Sequence, residues 1–216
     1  GFSWRVSENT TWKTSVSKGF RSPTIRVLFV WNHNVNLSPE SVMNYETSFL
    51  QSFYNRKINL ELTGFSIVGD NLIITVPKIG LQNAGEIHNR GIEFSGNINP
   101  SEKLEMNITY SYTAMKNPVY ATPRHNLFGS ISYKYRKFNF MVSSQHINHL
   151  DSDPAINSEA YETYTLLNSK VSFHITGWAE LFLSAENILN QTYATNIYYT
   201  MPGITVFGGV KAVFRK

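Results

Sequence analysis

The chain has 216 residues and no cysteine, so a disulfide framework, a thiolate metal site and a cysteine nucleophile are all excluded. It is also short of charge: 16% of residues are charged, against roughly 25% in an ordinary soluble domain. Hydrophobic residues nevertheless make up 42% and aromatics 14%, which rules out a disordered chain, a coiled coil and a collagen-like repeat. The net charge of +4 is scattered, with no run of five or six Lys and Arg, so no basic aromatic platform for nucleic acid is present. No apolar stretch approaches the roughly 18 residues of a helical membrane span. The opening Gly1-Phe2-Ser3-Trp4 is not a signal peptide, which suggests a mature, trimmed or fragmentary chain. Catalytic motifs are missing too: no Ser–His pair sits in a recognisable setting, and Gly208-Gly209 lacks the following helix of a phosphate loop. The expectation is a protein that is not an enzyme.

What is present is a period of two. Leu104, Met106, Ile108, Tyr110 and Tyr112 alternate with Glu105, Asn107, Thr109 and Ser111. Successive strand side chains point to opposite faces, so this segment has one apolar and one polar face. Ile58-Leu60-Leu62, Ile92-Phe94-Gly96-Ile98, Ala179-Leu181-Leu183-Ala185 and Val206-Gly208-Val210-Ala212 repeat the pattern, with Phe182 the exception. No segment sustains a helical period.

Connections alternate in length. Short turns are expected near residues 8–10, 55–57, 99–102, 135–137 and 175–177, and long links over 19–40, 69–89, 115–122, 150–161 and 187–203. Sorting short turns to one end and long loops to the other is a property of up-and-down transmembrane barrels. About eleven strands result, most near the 9–11 residues of a tilted span. The first and last of eleven meander strands run the same way and cannot pair antiparallel, while an open sheet in lipid leaves unpaired backbone at two edges. The fold class expected is therefore all-β, an antiparallel up-and-down transmembrane β-barrel, with residues 1–216 supplying about half of roughly 22 strands. Trp12, Tyr110, Tyr112, Tyr133, Tyr135, Phe138 and Phe214 fall near the ends of apolar faces, as membrane girdles do; strands also favour aromatics for packing alone.

Several short motifs occur in order along the chain. Gly19-Phe20-Arg21-Ser22-Pro23-Thr24 resembles the "G-F-R-A-P" box of TonB-dependent outer-membrane receptors. Asn36-Leu37-Ser38-Pro39-Glu40, followed by Asn44-Tyr45-Glu46, resembles their "N-L-x-P-E … Y-E" box. Asn83-Ala84-Gly85 with Asn89-Arg90-Gly91-Ile92-Glu93 is similar to "N-x-G … x-R-G-[VI]-E". Pro123-Arg124-His125 is similar to a strand-start motif, residues 186–193 resemble "x-N-L-F-x-x-x-Y", and Pro202-Gly203 precedes a closing strand. Two departures stand out: Ile204 replaces a common Arg, and Arg215 and Lys216 follow the terminal aromatic Phe214.

The resemblance implies the C-terminal half of a 22-stranded receptor barrel in the bacterial outer membrane. Its partners would be outer-membrane lipid, its own plug domain and N-terminal half-barrel, and, through that plug, the TonB energy-coupling protein. No intrinsic cofactor is implied; the transported ligand would be an iron–siderophore, with haem or cobalamin as alternatives. Facing the lumen and plug would be Arg5, Lys13, Glu46, Asn59, Glu61, Glu93, Glu105, Asn107, Thr109, Glu180, Glu186 and Lys211, or these are simply solvated groups. Ligand contacts belong in long loops, where Trp31, His33, Tyr120, Tyr193, Tyr198 and Tyr199 are candidates. Haem receptors of this family carry a histidine between the first two boxes, as His33 lies between Arg21 and Leu37, and imidazole ligates haem iron. His146, His149, Asp151 and Asp153 form a weak metal candidate; a polar external loop is the plainer account. Two other classes stay open: a soluble all-β adhesin or carbohydrate-binding sandwich, and a small autonomous barrel.

Overall fold

Strict alternation along the chain builds one antiparallel sheet in the computed structural model, which describes residues 1–31, 34–76, 79–117, 119, 121–152, 161–196 and 199–212. The strands are β1 (Phe2–Ser7), β2 (Thr10–Arg21), β3 (Glu40–Phe53), β4 (Ile58–Val76), β5 (Gly80–Ser101), β6 (Leu104–Met115) and β7 (Pro123–Tyr135). They continue as β8 (Phe138–Asp151), β9 (Tyr161–His174) and β10 (Ala179–Glu186); a small hairpin of β11 (Ala194–Asn196) and β12 (Tyr199–Thr200) then leads to β13 (Thr205–Ala212). Eleven of them pair in sequence order, from β1 through β10 to β13. Among the described residues β1 and β13 are the two edges and do not pair with each other.

Register separates the faces. Lys13 lies opposite Ser48, Ser48 opposite Thr63, Thr63 opposite Glu93 and Glu93 opposite Ser111. One residue along, Trp12, Phe49, Leu62, Phe94, Tyr110 and Leu127 form the matching row on the other face. That apolar face stays uncovered: Leu62 is 54% exposed and Leu183, farther along it, 59%. Buried hydrophobics are few among the described residues, with one cluster of Ile147, Leu150 and Tyr164 joined by Leu166 and Tyr193. A soluble sandwich would bury such faces between two sheets; among the described residues the second sheet is just the β11–β12 hairpin. The sandwich alternative is set aside on that ground. No helix of the described residues is long and apolar enough to cross a membrane, which says nothing about strands.

Four of the five short turns fall where the sequence places them, while the one expected at 99–102 sits at Glu102–Lys103 because β5 runs on to Ser101. Tyr54, Asn55 and Arg56 turn between β3 and β4 with φ of 50°, 55° and 64°, and Arg136 between β7 and β8 with φ of 53°. Two expectations need correction. The 69–89 segment is no loop: β4 and β5 stay paired through Val76 and Gly80, with register shifts between Gly69 and Ile73. Its Gly, Asp and Asn residues mark that irregularity, where Asn71 takes φ 58°. The strands also exceed 9–11 residues, β2 to β9 running from 12 to 22, because the ladder continues past the apolar rows. A single helical turn, Val27–Trp31, sits in the first long link, begun by Thr24 Oγ1 accepting the Val27 N–H at 3.3 Å.

Candidate functional site

The polar face and the long-link end of the sheet are the two places where functional groups converge. Register puts Arg5, Lys13, Glu46, Glu61, Glu93, Glu105, Glu180, Glu186 and Lys211 on the same face. From β1 to β7 that face is hollowed into a cavity of about 760 Å³, lined by Lys13, Glu46, Glu61, Glu93, Thr109 and Ser111 among others. Lys13 Nζ lies 3.7 Å from Glu61 Oε1, and the Ser15 hydroxyl donates to Glu46 Oε2 at 3.2 Å. Three carboxylates thus face one ammonium, so the hollow offers hydrogen-bond acceptors to whatever it holds. Beyond it, Asn107 Nδ2 donates to Glu105 and Asn97 Nδ2 to Asn107 Oδ1 at 2.6 Å. Asn59, by contrast, closes a turn, donating to the Arg56 carbonyl at 2.9 Å.

At the far end of this face His174 and Glu180 approach to 3.5 Å, with Lys211 opposite Glu180. Phe182 is the one aromatic in β10's polar row. Its ring lies over Gly209 of β13, where an added Cβ would sit 2.8 Å from the ring, and Lys170 Nζ stands 4.8 Å above it.

Hydrogen bonds within the sequence boxes tie the long-link end together. Arg21 donates through Nε and Nη2 to both carboxylate oxygens of Glu40, the second bond at 3.0 Å. Glu40 Oε1 also accepts the Ile73 N–H at 2.8 Å. Glu40 lies 13 residues from the short turn end of β3, past the roughly 9–11 residues of a span. Burial pushes its carboxyl up, but Arg21 and the Ile73 N–H outweigh this and hold it below the ordinary range. Asn83 joins the second box to the third, accepting from the Ser38 N–H at 2.7 Å and donating to the carbonyls of Ser38 and Asn71. At the other side, Asn187 is 4% exposed with φ 49°; its Nδ2 donates to the carbonyls of Gln191 and Pro202, and its Oδ1 accepts the Gln191 N–H. Asn190 Oδ1 accepts the Ile204 N–H at 3.2 Å, a role for the position that departs from the family pattern. Glu40, Asn83 and Asn187 went unread as organising groups, although each stands inside a quoted motif.

The ligand candidates are less concentrated. Trp31 ends the helical turn, and Tyr199 is exposed on the β11–β12 hairpin. Tyr193 is committed to packing, its ring 4.3 Å from that of Tyr164. His33, Tyr120 and Tyr198 lie outside the described residues, as does Asp153. His146 Nδ1 is 2.9 Å from Thr165 Oγ1, His149 stacks on Tyr161 at 3.6 Å, and Asp151 is buried. Among the described residues no three His, Asp or Glu side chains come together as a metal site.

The sequence model of the family described as "TonB dependent receptor-like, beta-barrel" matches residues 1–188. No curated protein sequence matches the chain. Among solved structures, FpvA of P. aeruginosa bound to a heterologous pyoverdine with iron superposes with a TM-score of 0.76 at 17% identity, covering 97% of this chain and 32% of that one. The ferric enterobactin receptor PfeA of Pseudomonas aeruginosa gives 0.78 at 14% identity, covering 98% and 39%. The copper transporter OprC gives 0.79 at 12% identity, covering 98% and 38%. At such identities the likeness is one of fold, and the chain spans only 32% to 39% of the length of these structures.

Proposed function

The chain belongs to the TonB-dependent receptor-like β-barrel family, and from that premise we propose that it forms the C-terminal half of a roughly 22-stranded outer-membrane receptor importing a scarce nutrient. The observation that carries this reading is the division of one sheet into an uncovered apolar face and a polar, hollowed face. Lipid covers the first, a plug domain the second, and the long links form an outer mouth. Bonds such as Arg21–Glu40 and Ser38–Asn83 hold the loop bases in place, so that exposed groups including Tyr199 meet ligand on a fixed rim. An iron–siderophore is the proposed cargo, supported by a likeness in fold to FpvA with its iron–pyoverdine and to a ferric enterobactin receptor. Energy arrives from the inner membrane through the plug and TonB, and the chain's role is binding and transport without catalysis.

Uptake of radiolabelled iron–siderophore by cells with and without the receptor that contains this chain tests the proposal. Energy-dependent accumulation that disappears on deletion is expected. Unchanged accumulation across a panel of siderophores overturns the cargo, and a chain that stays monodisperse without detergent overturns the membrane placement.

A further inference from the structure

The apolar face is not smooth. Gly64 of β4 opens a gap in it: a Cβ there would meet only Thr47 Cγ2, at 3.9 Å. Around this floor runs an open groove of about 820 Å³ walled by Val16, Tyr45, Ile92 and Tyr112, with Arg90 at the rim nearer the long links. Arg90 lies opposite Ser66 and Ala114 and is exposed, and its guanidinium makes no hydrogen bond or ion pair among the described residues. One row farther out His88 lies opposite Val68, and the Lys116 N–H donates to the His88 carbonyl at 3.1 Å, so Lys116, just past the end of β6, stands one row beyond Arg90. Lys18 stands in the same row, opposite Met43. The carboxylates are placed beyond: Asp70 lies opposite Ser41, while Glu86 reaches back to Lys116 Nζ at 3.5 Å and His88 Nε2 at 3.6 Å.

We infer that this groove binds one phosphate-bearing acyl lipid, its chain over Gly64 and its phosphate on Arg90 and Lys116. The inference rests on the reading of this face as lipid-facing. An acyl chain matches the aromatic and aliphatic walls, and an exposed arginine whose guanidinium has no partner among the described residues complements an anionic headgroup at the outward rim. Free phosphate has no use for the apolar groove.

The test uses the full receptor, delipidated in detergent and titrated with dioleoyl phosphatidic acid or dioleoylglycerol under native mass spectrometry, with inorganic phosphate as competitor. Wild type is expected to retain one phosphatidic acid about tenfold more tightly than the diacylglycerol. Arg90→Gln with Lys116→Gln abolishes that preference, and Gly64→Leu weakens both lipids while leaving the preference in place. Equal binding of the two lipids by wild type, a preference that survives the double substitution, or full displacement by inorganic phosphate overturns the inference. Quenching of Trp4 and Trp12 by brominated acyl chains in the same preparation separates the two readings. Absent quenching rejects the lipid-facing reading itself; quenching with phosphate-independent binding rejects only the headgroup site.

Discussion

Arg21 and Glu40 lie 19 residues apart in sequence and close the first long link, an exposed guanidinium forked onto a carboxylate whose side chain is 8% exposed. The arginine's exposure limits the ion pair to about 0.5–1 kcal/mol. Glu40→Ala also orphans the Ile73 N–H, raising the expected loss to about 2 kcal/mol. Because folding lowers the Glu40 pKa, this stabilisation is fully present above its ordinary value near 4.3 and is lost as pH falls through the lower folded value. The protection factor of the Ile73 amide should therefore hold steady from pH 7 to about 5 and drop in more acidic buffer. Glu40→Gln should flatten that profile. Protection that ignores acid in the wild type would count against the linkage.

Glycine positions give a graded prediction. A Cβ on Gly91 would stand 2.0 Å from the Tyr112 carbonyl oxygen and 2.7 Å from the Phe65 ring, whereas on Gly209 its nearest neighbours are atoms of the Phe182 ring, at 2.8 Å. Backbone cannot yield as a ring can, so Gly91→Ala should lose about 3 kcal/mol or more and Gly209→Ala about 1. Urea unfolding from vesicles measures both, and equal midpoints would show the clash to be relieved.

Asn187 serves three hydrogen bonds through one buried amide. Asn187→Ala removes them all, and alanine tolerates φ 49° poorly, so about 3 kcal/mol of local stability should vanish. Asn187→Asp keeps the acceptor for the Gln191 N–H but lacks both donations. Proteolysis across residues 187–203 should accelerate for both, with Ala at least as sensitive as Asp; wild-type cleavage rates would reject the assignment.

Adjacent residues on opposite faces offer a direct comparison. Leu62→Arg puts a charge on the uncovered apolar row, with an expected cost of about 2–4 kcal/mol if that row lies near mid-bilayer. Thr63→Arg places the same charge beside Glu93 on the polar face and should fold nearly as well as wild type. Folding yield into lipid vesicles is the readout, and a yield equally reduced by both would contradict the division of faces.

Face assignment was legible because a period of two needs only local sequence: Leu104 to Tyr112 alternate without a break, and pairing to β5 and β7 preserves the order. Longer-range effects escaped it. Gly69, Asp70 and Asn71 carry turn chemistry, yet cross-strand bonds carry β4 onward to Val76 after a register shift. Phe182 breaks the pattern alone and makes sense only beside Gly209, 27 residues later and on the neighbouring strand. Tyr193 looks like a free loop aromatic until Tyr164 is placed against it. Hydrogen bonds from Glu40, Asn83 and Asn187 likewise depend on partners brought together by the sheet.

The eleven-strand meander also restricts assembly. Since β1 and β13 run in the same direction, two copies inserted with their long links on the same side would meet edge to edge as parallel strands. A rotational dimer of this sheet therefore cannot continue the antiparallel ladder. Antiparallel closure needs an odd number of further strands whose first runs opposite to β13, and a copy of this sheet in the same orientation has the right number but the wrong direction.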